Sequence, residues 1–505
     1  METRIPELRK EYFEASRLLA VYNRLEWEQQ TLLPPGHMGH PALAEDMAMI
    51  QEIAHRRLVS PEMERLLLSA HSPACFESLD EDDKLVARLI QREFDKARKL
   101  PEEFVARSEK LYAESYAVWV EAKAKSDFSL FAPSLKNIIA VKREEASLAG
   151  YKGSPYDALL DDYERGLTTG SLDQTFYRLK AFLVSFLAKI MKQKEANRQA
   201  VLKQKEKISY ARQLGFIVKV AKDLGYDHSR GFIGLSVHPI SVSPHPTDAR
   251  ITVNFREDEM LSALYDAIHE VGHGMYYQNL PLEFCGTPVG EPASYGVDEG
   301  SARFWENIIG RSLSFWEYLY PLARESFPGL TDVFSSPDKF YKALNNVEPS
   351  LIRMDADEVT YNLHIILRYE LERDLIEGKL QVEDAPAAWN HKMKEYLGLD
   401  VPDDAHGILQ DIHWSGGDLG YFPTYNLGNI YGTQLHAKMW ETVDIANLVR
   451  KGEFREIRNW MTENVYRHGS RYEPAELIWR ATGKPSDLAY FTAYLVHKYA
   501  SIYNM

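Results

Sequence analysis

Apolar residues recur at three- and four-residue steps through most of this 505-residue chain, a spacing that places them on one face of an α-helix. One clear stripe consists of Leu172, Phe176, Leu179, Leu183, Phe186 and Ile190. Ser171, with Gln174 three residues later, has the pattern of a capping box and predicts that this helix begins there. The pattern favours a mainly α-helical fold.

Further helices are predicted where the same spacing returns. Pro101 followed by Glu102 and Glu103 is typical of a helix start, because proline suits the first turn and acids suit the positive end of the helix dipole. Amphipathic runs over Tyr361–Leu375 and Trp440–Val449 each predict a helix in the C-terminal third of the chain.

Strand signals are few and lie near the middle of the chain. Arg250–Phe255 is rich in β-branched residues, and Gly234–Val237 is a weaker candidate. Clustered glycine and proline predict non-helical segments between residues 231 and 246, 281 and 296, and 416 and 428. We therefore expect one large helical body over residues 1–505 with a small sheet near its middle.

The charge balance argues against several classes of protein. The chain has 59 Lys and Arg against 74 Asp and Glu, a net charge of −15, whereas nucleic-acid-binding proteins usually have a basic surface. No stretch of about 18 apolar residues occurs, so no membrane span is expected. Two cysteines, Cys75 and Cys285, are too few for a disulfide framework, and the charged N-terminal segment lacks the apolar core of a signal peptide. A cytoplasmic protein is the expectation.

The segment Asp258–Gln278 carries the residues on which the functional interpretation depends. Its apolar residues have helical spacing, and it contains the sequence His269-Glu270-Val271-Gly272-His273. Because four residues are about one helical turn, both imidazoles leave the same face and can bind one metal ion. Glu270 lies beside that face, where it can hold a water molecule and accept its proton. We predict a metal site here; two surface histidines without a ligand are the alternative.

A catalytic zinc site needs a third protein ligand and an open position for water. No third histidine follows His273 at the spacing of a longer zinc-peptidase motif, but Glu299 precedes an apparent helix over Ala302–Leu313 and is the favoured third ligand. The competitors are Glu283, Glu291 and Asp298. Cys285 could supply a thiolate, although a buried free cysteine is the simpler interpretation.

Segments outside the histidine helix also match a known family. They are Asp248-Ala249-Arg250-Ile251-Thr252, Ile352-Arg353-Met354-Asp355-Ala356-Asp357, Gly407-Ile408-Leu409-Gln410-Asp411-Ile412-His413-Trp414 and the short segments Leu25-Glu26-Trp27 and Pro34-Pro35-Gly36. With the histidine helix, they resemble the thermostable carboxypeptidase 1 (carboxypeptidase Taq) family of zinc metallocarboxypeptidases. The resemblance extends over nearly the whole chain and implies that Glu299 is the third ligand, beside His269 and His273.

Two segments depart from the family pattern. The family's His-Pro-Phe reads His238-Pro239-Ile240, and its His-Glu-Ser/Gly-Gln reads Asp298-Glu299-Gly300-Ser301. The metal ligand itself is kept. Asp298 replaces a histidine next to it, so the residues that orient the metal ligands are expected to differ from those of relatives.

A carboxypeptidase must bind the C-terminal carboxylate of its substrate, and arginine suits this because it donates two parallel hydrogen bonds. The matched segments supply Arg353 and Arg250. Each could instead form a structural ion pair with a nearby aspartate. His238 is a further substrate-binding candidate by the resemblance.

Hydrogen-bond donors are also needed for the oxyanion that develops during peptide hydrolysis. The helical zinc peptidases that the family resembles in fold, including neurolysin and angiotensin-converting enzyme, use a histidine and a tyrosine. The candidates here are His406, His413, Tyr421 and Tyr425, and the sequence does not separate them.

The resemblance implies a mainly α, neurolysin-like fold with a deep active-site cleft, a small β-sheet beside it and helices of about residues 1–75 as a lid. It also implies one Zn²⁺ per chain, with Co²⁺ as an alternative, and a homodimer. Its substrates would be peptides cleaved at the C-terminal bond with broad side-chain tolerance. Two alternatives remain: a helical zinc oligopeptidase that cuts internally, and a non-catalytic metal-bearing peptide-binding protein.

Overall fold

The computed structural model describes residues 5–33, 38–196, 204, 206–331 and 335–505; the Pro34-Pro35-Gly36 segment lies outside these ranges. Helices make up 71% and strands 3%, which confirms the mainly α fold. The first α-helices are α1 (Ile5–Thr31), α2 (His40–Leu58), α3 (Pro61–Ala70), α4 (Pro73–Ser78), α5 (Glu81–Ala97), α6 (Glu102–Lys125), α7 (Phe128–Ala149), α8 (Pro155–Tyr163), α9 (Thr169–Ala196), α10 (Tyr210–Leu224) and α11 (Met260–Gln278). They are followed by α12 (Tyr295–Arg303), α13 (Leu313–Ser326), α14 (Pro328–Thr331), α15 (Pro337–Leu344), α16 (Tyr361–Glu377), α17 (Ala385–Leu397), α18 (Pro423–Trp440), α19 (Ile445–Lys451), α20 (Arg455–Asn464), α21 (Pro474–Thr482) and α22 (Leu488–Tyr503).

The sheet has three strands, β1 (Ile233–Leu235), β2 (Ser241–His245) and β3 (Asp248–Val253), in the order β1-β3-β2. Central β3 is parallel to β1 and antiparallel to β2, and Ile251 is paired with a residue of each neighbour. The two predicted strands are confirmed with shifted ends. Strand β2 was not predicted, because its proline and serines are typical of a turn; an edge strand tolerates the proline.

Three predicted helix boundaries were wrong. Helix α9 begins at Thr169 rather than Ser171. The hydroxyl of Thr168 accepts a hydrogen bond from the backbone N–H of Ser171 and so caps the helix before the predicted start. The run Trp440–Val449 is divided between α18 and α19, and the Asp444 side chain caps the second helix.

The third concerns the run Ala302–Leu313. Helix α12 begins earlier than that run, at Tyr295, and continues as a π-helix over Phe304–Gly310. Glu299 therefore lies within a helix instead of at its start. Single turns of π-helix inside α-helices are common at functional sites.

The apolar residues form two clusters. The larger one extends from Trp119 on α6 to Tyr503 on α22 and includes the buried face of α11. The smaller one joins α1, α3 and α5 to Phe284 and Val289, just after α11. Helix α1 also contacts the sheet, where Arg24 donates to Asp248 at 3.3 Å. The lid function of about residues 1–75, and the treatment of 1–505 as one catalytic domain, stay predictions. Among the described helices, none is long and apolar enough to cross a membrane.

Candidate active site

Helix α11 places the two predicted histidine ligands one turn apart on the same face. His269 Nε2 and His273 Nε2 are 3.3 Å apart, and the two ring centroids are 4.9 Å apart. A buried apolar stripe from Leu264 to Met275 fixes the rotation of the helix against the core. Both imidazoles therefore present Nε2 to one common position.

Helix α12 brings Glu299 to that position, because two glycines allow neighbouring helices to approach it closely. A Cβ atom added at Gly272 would lie 2.6 Å from Ala302 Cα, and one added at Gly428 would lie 2.8 Å from Glu299 Cβ. Neither site has room for a larger residue without moving a backbone. Glu299 Oε2 consequently lies 3.7 Å from His269 Nε2.

These three residues could hold one metal ion. One ligand atom from each of His269, His273 and Glu299 lies within 4.8 Å of the others. Glu299 Oε2 is buried without a hydrogen-bond partner among the described residues, so a bound cation is the interaction that would satisfy it. Two imidazoles and one carboxylate form the ligand set of zinc peptidase sites that keep a position open.

The competing ligands are not part of this group. In the ranges that the structure covers, no other cluster of three His, Cys or acidic residues could hold a metal ion. Glu283 and Glu291 lie outside it, and Cys285 is a partly exposed free cysteine whose pKa is raised by burial. Asp298 contacts a histidine ligand instead of joining the group.

In each histidine, the ring nitrogen that faces away from the metal position, Nδ1, is within hydrogen-bond distance of a carboxylate. His269 Nδ1 lies 2.9 Å from Glu306 Oε2, and His273 Nδ1 lies 2.8 Å from Asp298 Oδ1. When Nδ1–H donates to a carboxylate, Nε2 carries the lone pair that a metal ion needs. Burial lowers the pKa of His273, but Asp298, Glu299 and Glu270 together outweigh burial and raise it to about 10. Since a proton and a metal ion compete for Nε2, the negative charge that favours the proton also favours the cation.

Glu306 lies on the π-helix and is itself held by arginines. Arg303 lies 2.9 Å and Arg311 3.6 Å from its carboxylate. Burial raises the pKa of Glu306, but the two arginines and His269 outweigh it and hold the pKa well below its usual range. This carboxylate therefore stays ionised beside His269.

Glu270, the predicted base, is buried beside the two histidines and accepts a hydrogen bond from Ser241 Oγ at 2.5 Å. Burial raises the pKa of Glu270 above its ordinary value. A carboxylate of raised pKa accepts a proton more readily than one exposed to water. Ser241 was not predicted as a site residue. Its signal in the sequence is the Ser-Val-Ser alternation of β2, which places both serines on one face.

Arg353 is buried in a dense set of contacts. Its Nε donates to Asp411 Oδ1 at 3.0 Å, and its Nη1 donates to the Tyr361 hydroxyl at 2.8 Å. Arg368 holds the other oxygen of Asp411 at 2.5 Å. The Arg353 guanidinium also lies over the Tyr425 ring, 5.3 Å from its centroid. Asp411 belongs to a matched segment, but its pairing with two arginines across the fold was not predicted.

The structure brings three of the four oxyanion candidates together. The Tyr421 hydroxyl lies 3.4 Å from Glu299 Oε1, and the Tyr421 ring is 5.7 Å from that of His413 and 5.3 Å from that of Tyr425. His413 Nδ1 is buried without a partner among the described residues. Burial and the positive charge of Arg353 lower the pKa of His413 to about 3, so its imidazole is neutral.

Two candidates lie elsewhere. His406 is exposed and its Nδ1 pairs with Asp403 at 2.8 Å; none of its described contacts reaches a metal ligand. Arg250 forms a two-point ion pair with Asp248 at 2.7 and 2.9 Å, and it lies over the Trp27 ring. These contacts favour the structural interpretation of Arg250, and its substrate role stays a prediction.

Several side chains combine access to solvent with pKa shifts caused by burial. Glu291, Asp418 and His238 are exposed, yet burial raises the pKa of Glu291 to about 7 and that of Asp418 to about 6, and lowers that of His238. Solvent thus reaches these three groups although protein closely surrounds them, which is what the predicted cleft requires. The positive charges of Arg353 and His269 also lower the pKa of His238, so this residue lies near both.

The model of the Carboxypeptidase Taq (M32) metallopeptidase family matches residues 7–499. The chain belongs to this family. Carboxypeptidase 1 of Bacillus subtilis (strain 168) is 36% identical over 500 residues, or 98% of each chain. Thermostable carboxypeptidase 1 of Thermus thermophilus is 37% identical over 487 residues, or 94% of each chain. The structure of an M32 carboxypeptidase from Deinococcus radiodurans R1 has a TM-score of 0.95 at 33% identity and covers 100% of both chains.

As a member of the M32 family, the chain is a metallocarboxypeptidase and hence a peptide hydrolase. This confirms the resemblance read from the matched segments and sets aside the non-catalytic binding protein. Of the two orienting carboxylates, Asp298 was noted in the sequence as the replacement of a family histidine, whereas Glu306 was not predicted.

Proposed function

We propose that the protein is a zinc carboxypeptidase that removes single residues from the C-termini of peptides with broad side-chain tolerance. The observation that carries this proposal is the buried, unpartnered Glu299 oxygen facing two histidines whose Nδ1 atoms are already held by carboxylates. We assign His269, His273 and Glu299 as the metal ligands, with Co²⁺ as an alternative to Zn²⁺.

A zinc ion bound by these residues would act as a Lewis acid on the scissile carbonyl. The protein supplies the proton transfers. Glu270 accepts a proton from the attacking water and later donates one to the leaving amine nitrogen. The hydrogen bond from Ser241 fixes one oxygen of Glu270, so the other is free to face the water.

Arg353 is the residue we assign to the substrate carboxylate. A guanidinium has five N–H donors, and the contacts with Asp411 and Tyr361 leave one N–H on each terminal nitrogen. That edge matches the two oxygens of a carboxylate. Asp411 and the aromatic rings hold the guanidinium in one orientation, so the distance from this clamp to the metal ligands sets which peptide bond is cleaved.

His413 and Tyr421 are the proposed donors to the developing oxyanion, with Tyr425 supporting both. Tyr421 lies beside Glu299, and a neutral His413 can donate from one ring nitrogen while the other accepts. We also assign His238, whose pKa is influenced by Arg353 and His269, to contact the substrate near its C-terminus.

Membership of the family disfavours an endopeptidase that cuts internally, and product analysis tests this directly. Mass spectrometry of a mixed peptide set digested by the zinc-loaded protein should show stepwise loss of single C-terminal residues. Internal fragments as the first products would favour the oligopeptidase. A homodimer located in the cytoplasm completes the proposal, and sedimentation velocity would test the dimer.

A further inference from the structure

Asp298 replaces a histidine of the family pattern, and its contacts give it a definite position. It is 8% exposed. Its Oδ1 accepts from His273 Nδ1 at 2.8 Å, and its Oδ2 accepts from the Tyr277 hydroxyl at 2.7 Å. Both carboxylate oxygens of Asp298 thus accept a hydrogen bond, and Asp298 lies outside the group of possible metal ligands although it is next to Glu299 in sequence.

We propose that Asp298, held by Tyr277, is a positioning residue that fixes the ring orientation and tautomer of His273 and thereby raises the metal affinity of this protein. The inference rests on the metal site of the proposed function. With Nδ1–H donated to Asp298, the His273 lone pair lies on Nε2, the nitrogen that faces His269 and Glu299.

Helix geometry explains how three residues form this chain of hydrogen bonds. His273 and Tyr277 are one turn apart on α11, and their rings are nearly parallel, at 20°, with centroids 6.2 Å apart. Asp298 and Glu299 are consecutive on α12, so one helix supplies a ligand and the residue that orients another ligand. The close contact of Gly272 with Ala302 keeps α11 and α12 at the required separation.

The charge of Asp298 is not shared with a lysine or arginine among the described residues. Glu306, which orients His269, shares its charge with Arg303 and Arg311. Among the described residues, no lysine or arginine lies within ion-pair distance of Asp298, and its one ionic contact is with His273. Its negative charge therefore strengthens His273 as a donor to a cation, whereas the charge of Glu306 is largely balanced.

The experiment measures the zinc dissociation constant directly, by competition with a chromophoric chelator at one fixed pH, for wild-type protein and four variants. Asp298→Asn keeps the shape, Asp298→Ala removes the group, and Tyr277→Phe removes only the hydroxyl that holds Asp298. Glu291→Gln, compared at a pH above its raised pKa of about 7, is the matched control, because it also removes an acidic charge but lies outside the ligand group. Circular dichroism of each metal-free variant checks that it is folded.

We expect Asp298→Asn and Asp298→Ala to bind zinc about 10–100-fold more weakly, which is the usual cost of losing a partner of a ligating histidine. Tyr277→Phe should show a smaller loss, and Glu291→Gln should stay within about twofold of wild type. Cobalt-loaded Asp298→Ala should also show a changed visible absorption spectrum, because the His273 ring is no longer held.

Equal zinc affinity of wild type and both folded Asp298 variants would overturn the inference. So would an equal loss in Glu291→Gln, since the effect would then be one of overall charge. If the wild-type protein itself binds no zinc, the proposed metal site fails, and that outcome is distinct from a wild type that binds zinc and an Asp298 variant that binds it equally well.

Discussion

Ser241 Oγ lies 2.5 Å from Glu270 Oε2 and 3.4 Å from the backbone oxygen of the same residue. The proton acceptor on α11 is thus held by a hydroxyl of the edge strand β2. This strand also contacts α1, so the base is connected to the N-terminal helices through one short strand.

Ser241→Ala should lower activity and shift its pH dependence. Burial raises the pKa of Glu270, and the Ser241 hydrogen bond opposes this by stabilising the carboxylate. Without that bond the pKa rises further, so the base becomes protonated at a higher pH and the acidic limb of kcat/KM moves toward neutral pH. A hydrogen bond of about 1 kcal/mol predicts that kcat/KM falls roughly fivefold at pH values below the shifted acidic limb. Ser243→Ala on the same strand is the control, since Ser243 does not contact Glu270; a pH profile unchanged in Ser241→Ala would contradict this prediction.

Glu270→Gln should abolish turnover while keeping the metal. Glutamine preserves the size of the side chain but cannot accept a proton from water. We expect kcat to fall by about 10²–10⁴-fold, with zinc still bound near one per chain by metal analysis. Near-normal peptide hydrolysis by this variant would require another base.

Glu299→Ala should lose the metal that the protein otherwise holds, since only two imidazoles remain as ligands. Metal analysis after dialysis gives the readout. Glu291→Ala and Glu283→Ala each remove an acid that lies outside the ligand group, and both should retain full occupancy. Retention of zinc by Glu299→Ala would assign the third ligand elsewhere.

Arg353→Ala should remove the preference for a free C-terminal carboxylate. Charge-assisted hydrogen bonds contribute about 1.5–3 kcal/mol, so kcat/KM on a free-acid peptide should fall roughly tenfold or more. The corresponding C-terminal amide should be affected far less. Arg353→Ala also leaves Asp411 without one of its partners, which could disturb the site in general. The ratio of acid to amide hydrolysis is therefore taken within one variant, because a general disturbance affects both substrates equally.

Arg250→Ala is the comparison for that experiment, because Arg250 is paired with Asp248 and should leave the acid preference intact. A wild-type protein that cleaves acid and amide equally well would favour the internal-cutting alternative.

The parts of the site that the sequence revealed are those defined by local spacing. His269 and His273 are one turn apart in an amphipathic segment, so their common face follows from helix geometry alone. Glu299 was identified by its position after that helix, although the structure places it inside α12. His406 was a plausible donor by composition, and only the structure shows that its loop turns it toward Asp403.

The partners of these residues depend on packing between distant segments, which local spacing does not encode. Ser241 precedes Glu270 by 29 residues, and Glu306 follows His269 by 37. Strand β2 was missed because its short sequence has a turn-like composition and is a strand only through pairing with β3. Long-range hydrogen bonds of this kind are visible only once the helices are in place.

The glycine contacts of α12 have a consequence for how the protein loses and regains its ion. Gly272 and Gly428 place the backbone of the Glu299 helix directly against two neighbouring helices, so this segment cannot open without separating both. Its amide hydrogens should therefore exchange with solvent water only when the whole molecule unfolds. A protein stripped of metal by a chelator should keep these amides protected and take up zinc again at a rate set by diffusion into the cleft, with no refolding step.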